Sequence, residues 1–403
     1  MSVGKKVRII SLGEFNKKLI YPILGAISKF ITEYILGLSD DDLSFNSHSF
    51  IIGINSGFGM SLAIIPYLYT LNNSKVLEKG KLINNVYFDQ FLKKNNPSES
   101  KKKFILLFLC AFLDFIQKIL SFLLNHSLTN NLWIFNIIFL NVFTSIITSN
   151  QLYRHQYFSS GIMILFGILL NVINLNNMKS GQIPMLILNI LIEIIYSLGI
   201  VLAKYGMDDF FCSPFEITFY EGIFCLFFNI IFLIISTNIP IPFEKIWYFS
   251  KLFKISEYNG KKYLDNFYTY IDEISLKEIL LFFVHMITRA SFNLFSHITI
   301  KYYTSSHLIL ILILGEILLS LKEKNIRDKL IAIGIFIVEF IMVLIFLEII
   351  ELNFCGFEKN TRKNIKERAI SSTIDDDYGR DSKEICEGIE LNTEVSSSIN
   401  ENG

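Results

Sequence analysis

The residues of this chain that could do chemistry are charged and polar side chains set inside long apolar stretches. Asp114, Gln117, Lys118, Ser121 and Asn125 recur at intervals of three and four, so a helix would carry them on one face. Glu193, Tyr196, Ser197 and Lys204 make a second such stripe, and His285, Thr288, Arg289, Asn293 and Ser296 a third. Asn141, Thr144, Ser145, Thr148 and Ser149 form a seam of small polar groups, and Lys29 with Glu33 adds an i,i+4 pair. Polar groups are costly in hydrocarbon and turn toward protein or water. Several helices with one seam each imply a shared interior cavity.

Arg289 has no opposite charge on its own helix face, and its five-donor fork suits carboxylate or phosphate. Asp114 and Lys118 are spaced to neutralise each other at a helix interface or to line a path. His285 and His297 fit either proton relay or packing. The span-four seam fits helix–helix hydrogen bonding. Glu216, Tyr220 and Glu221 stand near one end of an apolar stretch, where capping or an interfacial role is the expectation. The expected substrate-binding set is Asp114, Lys118, Arg289, His285, Asn293, Glu193 and Tyr196, with no catalytic residue, no metal and no cofactor.

The elements that must position these groups follow from composition. Of 403 residues, 52% are hydrophobic and only 18% charged, with 38 Phe and 37 basic against 37 acidic residues. That composition excludes a disordered chain, a disulfide scaffold and a basic nucleic-acid binder. A bilayer crossing needs ~20 apolar residues in one helix, because its backbone must satisfy its own hydrogen bonds. Ten stretches qualify, at 19–38, 49–69, 104–124, 132–149, 157–175, 183–205, 214–235, 275–297, 305–321 and 330–350. The fold class expected is an all-α, polytopic membrane protein. A cytosolic arm (1–18) precedes two five-helix halves (19–175 and 183–350), and a polar, acid-rich disordered tail (357–403) follows. An odd number of spans per half inserts the halves in opposite senses, as in inverted repeats. Gly161-Ile162-Met163-Ile164-Leu165 and Gly334-Ile335-Phe336-Ile337-Val338 are a local match between them.

Basic residues set the orientation. Lys75, Lys79, Lys81, Lys93, Lys94 and Lys101 to Lys103 mark one loop, and Arg154, Lys204 and Lys301 three more of the same parity. Asp40, Asp41 and Asp42 occupy the opposite side, so both termini are expected in the cytosol. The loops at 240–274 and 322–329 are basic on the other side and run against this assignment. An endomembrane is expected rather than the plasma membrane. The five cysteines lack metal spacing, Asn125-His126-Ser127 is a sequon close to a span, and no phosphate-binding loop or HExxH pattern occurs.

These features resemble the drug/metabolite transporter superfamily, which includes nucleotide-sugar and EamA-type transporters. Ser213-Pro214-Phe215-Glu216 with Phe219-Tyr220-Glu221-Gly222, Tyr153-Arg154-His155-Gln156-Tyr157 before Gly161, and Glu351-Leu352-Asn353-Phe354-Cys355-Gly356 carry the resemblance, which covers roughly 19–368. It implies two inverted five-helix repeats around a central cavity built by spans one to four and six to nine, with five and ten peripheral. The expected function is a secondary transporter, not an enzyme, that moves a small anionic or zwitterionic metabolite by alternating access. The alternative is a non-transporting scaffold or receptor with a regulatory tail. Expected partners are the solute and membrane lipid, with homodimerisation open and no nucleic acid.

Overall fold

In a computed structural model the described residues are 10–12, 19–36, 48–69, 97–123, 134–147, 154–175, 183–242, 253–303, 305–320, 326–346 and 350–352. Among them the backbone is mostly helical. The long helices are α1 (Ile20–Leu36), α2 (Ser49–Ser61, continuing after a short break to Tyr69), α3 (Pro97–Leu123), α4 (Ile134–Ile147) and α5 (Arg154–Leu175). They are followed by α6 (Ile183–Asp209), α7 (Pro214–Asn238), α8 (Leu276–Tyr302), α9 (Leu308–Ser320) and α10 (Ile326–Phe346). Among the described residues, five segments are long and apolar enough to cross a bilayer: Ser49–Tyr69, Ser100–Ser121, Ile187–Asp209, Pro214–Asn238 and Leu276–Tyr302. Their outer faces are apolar as well. Phe227, Ile230, Ile234 and Ile235 of α7 and Leu280, Phe283 and Ile287 of α8 are exposed. A surface of that kind belongs against lipid rather than water.

Local chemistry sets where the central helices begin. Ser213 and Glu216 form a reciprocal capping box at the start of α7, with Pro214 in the first turn. Ser275 and Glu278 do the same for α8. The closest packing is between α2 and α7. A Cβ on Gly57 would lie 2.6 Å from the Leu226 backbone nitrogen, and one on Gly222 would lie 2.7 Å from the Met60 carbonyl carbon. Only hydrogen at both positions lets these backbones meet.

Four short strands depart from the all-α expectation. Strand β1 (Ile10–Leu12) pairs antiparallel with β4 (Ile350–Leu352), Ile10 opposite Leu352, and so brings the approach to α1 beside the exit from α10. The tenth apolar stretch therefore divides: its helix stops at Phe346, and Ile350 begins a strand. Both pieces are apolar, so periodicity alone merges them. The segment between α7 and α8 holds a hairpin of β2 (Ser256–Tyr258) and β3 (Lys261–Tyr263), then a short helix, Phe267–Glu273. Asn259 and Gly260 turn it with φ of 50° and 73°, the two positive values a tight hairpin needs. The acidic loop at 40–42, the sequon, residues 322–325 and the tail 357–403 lie outside the described residues, as does the 1–18 arm apart from β1; residues 326–329, expected in a loop, open α10 instead.

Candidate functional site

The polar stripes of α3, α6, α7 and α8 converge on one small cavity, with about 20 Å³ open to water. Asp114 and Cys110 of α3, Tyr196 of α6, Glu221 of α7, and Asn293, Ser296 and His297 of α8 supply its polar wall, and Ile195, Gly199 and Ile200 complete it. Of the expected set, Asp114, Tyr196 and Asn293 line this space directly.

Lys118 reaches the site through Asp114, its Nζ 2.5 Å from Asp114 Oδ2. The ammonium sits behind the carboxylate, with 1% side-chain exposure against 14% for Asp114, so the acid and not the base faces the cavity. Met60 of α2 closes the cluster. Its thioether sulfur accepts from Lys118 Nζ at 3.0 Å and from Asn293 Nδ2 at 2.5 Å, and so joins α2, α3 and α8. A polarizable thioether can serve two donors in this way where an aliphatic side chain could not.

Besides Lys118, three expected residues fall outside the lining. Arg289 is buried on α8, one turn from Asn293, with its guanidinium 5.4 Å from the Phe292 ring. His285 faces α2, where Asn55 Nδ2 donates to the Phe282 carbonyl at 2.9 Å and meets His285 Nδ1 at 3.0 Å. The carbonyl fixes the amide orientation, so Nδ1 accepts and the ring proton belongs on Nε2. Glu193 is half-buried on α6, three residues before Tyr196.

Glu221 and His297 are a contact that the sequence reading passed over. His297 Nε2 lies 3.3 Å from Glu221 Oε1, and its Nδ1 lies 2.9 Å from Thr218 Oγ1. Within α7, the Thr218 hydroxyl also donates to the Pro214 carbonyl at 2.8 Å. The stripes Thr218/Glu221 and Asn293/Ser296/His297 were visible at helical spacing, but nothing in a sequence states that two faces 76 residues apart meet. Glu216 does act as a cap, as expected, and its carboxylate also pairs with Lys103 of α3 at 2.7 Å.

No protein-family model matches this chain. No curated protein matches it in sequence either. Cavity, pairing and burial therefore stand as the grounds for a functional reading.

Proposed function

We propose that this chain is a secondary transporter, built from two inverted five-helix repeats, that carries a small polar solute by alternating access. The observation that carries the reading is the cavity whose polar wall joins α3 of the first half to α6, α7 and α8 of the second. The helix pairings support the repeat. α1 packs on α8 and α9, while α6 packs on α3 and α4; α2 packs on α8, while α7 packs on α3. α4 meets α5 as α9 meets α10, and α2 with α7 and α5 with α10 pair across the halves. Exchanging α1–α5 for α6–α10 maps each of these pairings onto another, as a pseudo-two-fold relation requires. All ten helices are then spans, with α5 and α10 peripheral, and the drug/metabolite transporter arrangement accommodates the pattern.

With ten spans both ends emerge on one face, which agrees with β1 pairing to β4, and loop charge assigns that face to the cytosol. The lining narrows the solute. Two carboxylates, Asp114 and Glu221, reach the cavity while Lys118 stays behind Asp114. A solute with an amino group, zwitterionic rather than purely anionic, fits that wall. The test is a thermal-shift screen of the full-length protein against pools of amino acids, amines and phosphorylated metabolites, followed by proteoliposome uptake of whatever stabilises it. Saturable uptake that falls in Asp114→Asn is expected. A chain that takes up none of the stabilising compounds, yet loses a binding partner when 357–403 is deleted, is a scaffold instead.

A further inference from the structure

We infer that Glu221 and His297 form a proton-binding site in the cavity wall, and that its loading drives the transport cycle; the second part rests on the transporter reading above. The assignment of protons follows from hydrogen-bond bookkeeping. The Thr218 hydroxyl has one hydrogen, and the Pro214 carbonyl at 2.8 Å can only accept it. Thr218 Oγ1 is then left to accept from His297, so Nδ1 of that ring carries a proton. The other ring nitrogen, Nε2, faces Glu221 Oε1 at 3.3 Å. That contact holds with one proton in it, either as neutral imidazole beside a carboxylic acid or as imidazolium beside carboxylate. Without the proton, a nitrogen lone pair opposes a carboxylate oxygen, and the contact repels.

One proton therefore closes a strap between α7 and α8, and its loss opens the strap. Both residues are buried and both line the cavity, so a change in cavity access changes the site's access to protons. The surrounding groups favour switching. From α3, the Asp114 carboxylate lines the same cavity as the pair, with the Lys118 ammonium behind it and the Cys110 thiol beside it. From α6 comes the Tyr196 phenol, from α8 Arg289 near that phenol, and from α2 the uncharged Met60. A cationic group arriving at Asp114 would cancel the charge that favours the proton, so solute entry and proton release are linked.

The experiment is pH-difference infrared spectroscopy of the full-length protein in lipid, which needs no solute and so judges the proton site independently of transport. The wild type should show a titrating buried carboxyl or imidazolium band that Glu221→Gln removes, and that Asp114→Asn keeps at a lower midpoint. Thr218→Val keeps both titrating groups but removes the acceptor for Nδ1–H; it should lower the midpoint by about one pH unit, tenfold in proton affinity. A titration unchanged in Glu221→Gln, or an unmoved midpoint in Thr218→Val, overturns the site. Once a solute is in hand, the pH optimum of uptake should move with the Thr218→Val midpoint, and an unmoved optimum overturns the coupling. Absence of uptake by the wild type would count against the transporter reading alone.

Discussion

His48 Nδ1 lies 2.7 Å from Asp265 Oδ1, and neither side chain reaches solvent. The second Asp265 oxygen accepts the Phe50 backbone N–H at 2.7 Å, and the Asp265 main chain exchanges hydrogen bonds with the Ser236 hydroxyl. One residue of the segment between α7 and α8 thus fastens the start of α2 to the end of α7. The ring of Tyr270 lies edge-on against His48 and shields the pair from water.

Breaking a buried hydrogen-bonded pair costs more from the side that leaves several donors stranded. Asp265→Ala strands His48, the Phe50 N–H and the Asn266 N–H, so a loss of roughly 3–5 kcal/mol is expected. His48→Ala leaves the carboxylate two backbone donors, and a smaller loss of about 1–3 kcal/mol follows. Thermal unfolding of both variants in one detergent measures the difference. Equal losses would mean that Asp265 is not the shared anchor.

The glycines of α2 and α7 give a prediction with an internal control. Gly57→Ala or Gly222→Ala pushes a methyl into backbone, which cannot yield as a side chain could, and should destabilise by ~1–3 kcal/mol. Gly161 and Gly334, at matching places in α5 and α10, have nothing within 4 Å of an added Cβ. Alanine there should be neutral or stabilising by up to about 1 kcal/mol through helix propensity. Chemical denaturation or thermal stability of the four variants side by side separates the two outcomes.

Cys212 lies in the turn between α6 and α7, where burial pushes its thiol up to about 12, against a small opposing effect of Lys103 and a reinforcing one of Glu216. A raised thiol favours the folded state while protonated, so this contribution is intact below pH 9 and is lost as pH rises toward 12. At pH 8 the native thiolate fraction falls on the order of a thousandfold below that of a free thiol. Alkylation at pH 8, located by peptide mass spectrometry, should therefore modify Cys212 quickly only after denaturation. Comparable rates before and after would place the thiol in contact with water.

The helices were legible because each apolar run is bounded by charge or turn residues, and the capping pairs Ser213/Glu216 and Ser275/Glu278 lie in plain sequence. The Asn259-Gly260 turn was equally readable, as the strongest short hairpin signal there is, but it was passed over inside a long polar loop. The pairing of Ile10 with Leu352 was not readable, since it joins segments 342 residues apart with no charge or motif in common. For the site, helical spacing marked faces of α3, α6 and α8 that each send at least one residue to the cavity wall. Spacing favours Arg289 over Glu221, because an arginine deep in an apolar stretch looks functional, whereas a glutamate near a helix end looks like a cap. Depth decides the matter: Glu216 sits in the first turn and caps, while Glu221 lies a turn and a half deeper and meets His297.

Asp114 and Lys118 separate fold from function. Asp114→Asn alone leaves the Lys118 ammonium buried without its counter-charge, facing a neutral amide and the Met60 sulfur, and Lys118→Met alone leaves a carboxylate without its cation. Each single variant should lose roughly 3–5 kcal/mol, as broken buried pairs do. The double variant removes both charges and leaves side chains of similar volume, so most of that stability should return, with a coupling energy above roughly 3 kcal/mol across the cycle. On the proposed transporter reading, uptake should not return with it, because the double variant still lacks the carboxylate that faces the cavity. Unfolding curves for the four proteins and proteoliposome uptake of a stabilising solute read the two properties separately. Recovery of uptake together with stability would reduce the pair to a structural brace and leave Glu221 as the carboxylate that a solute meets.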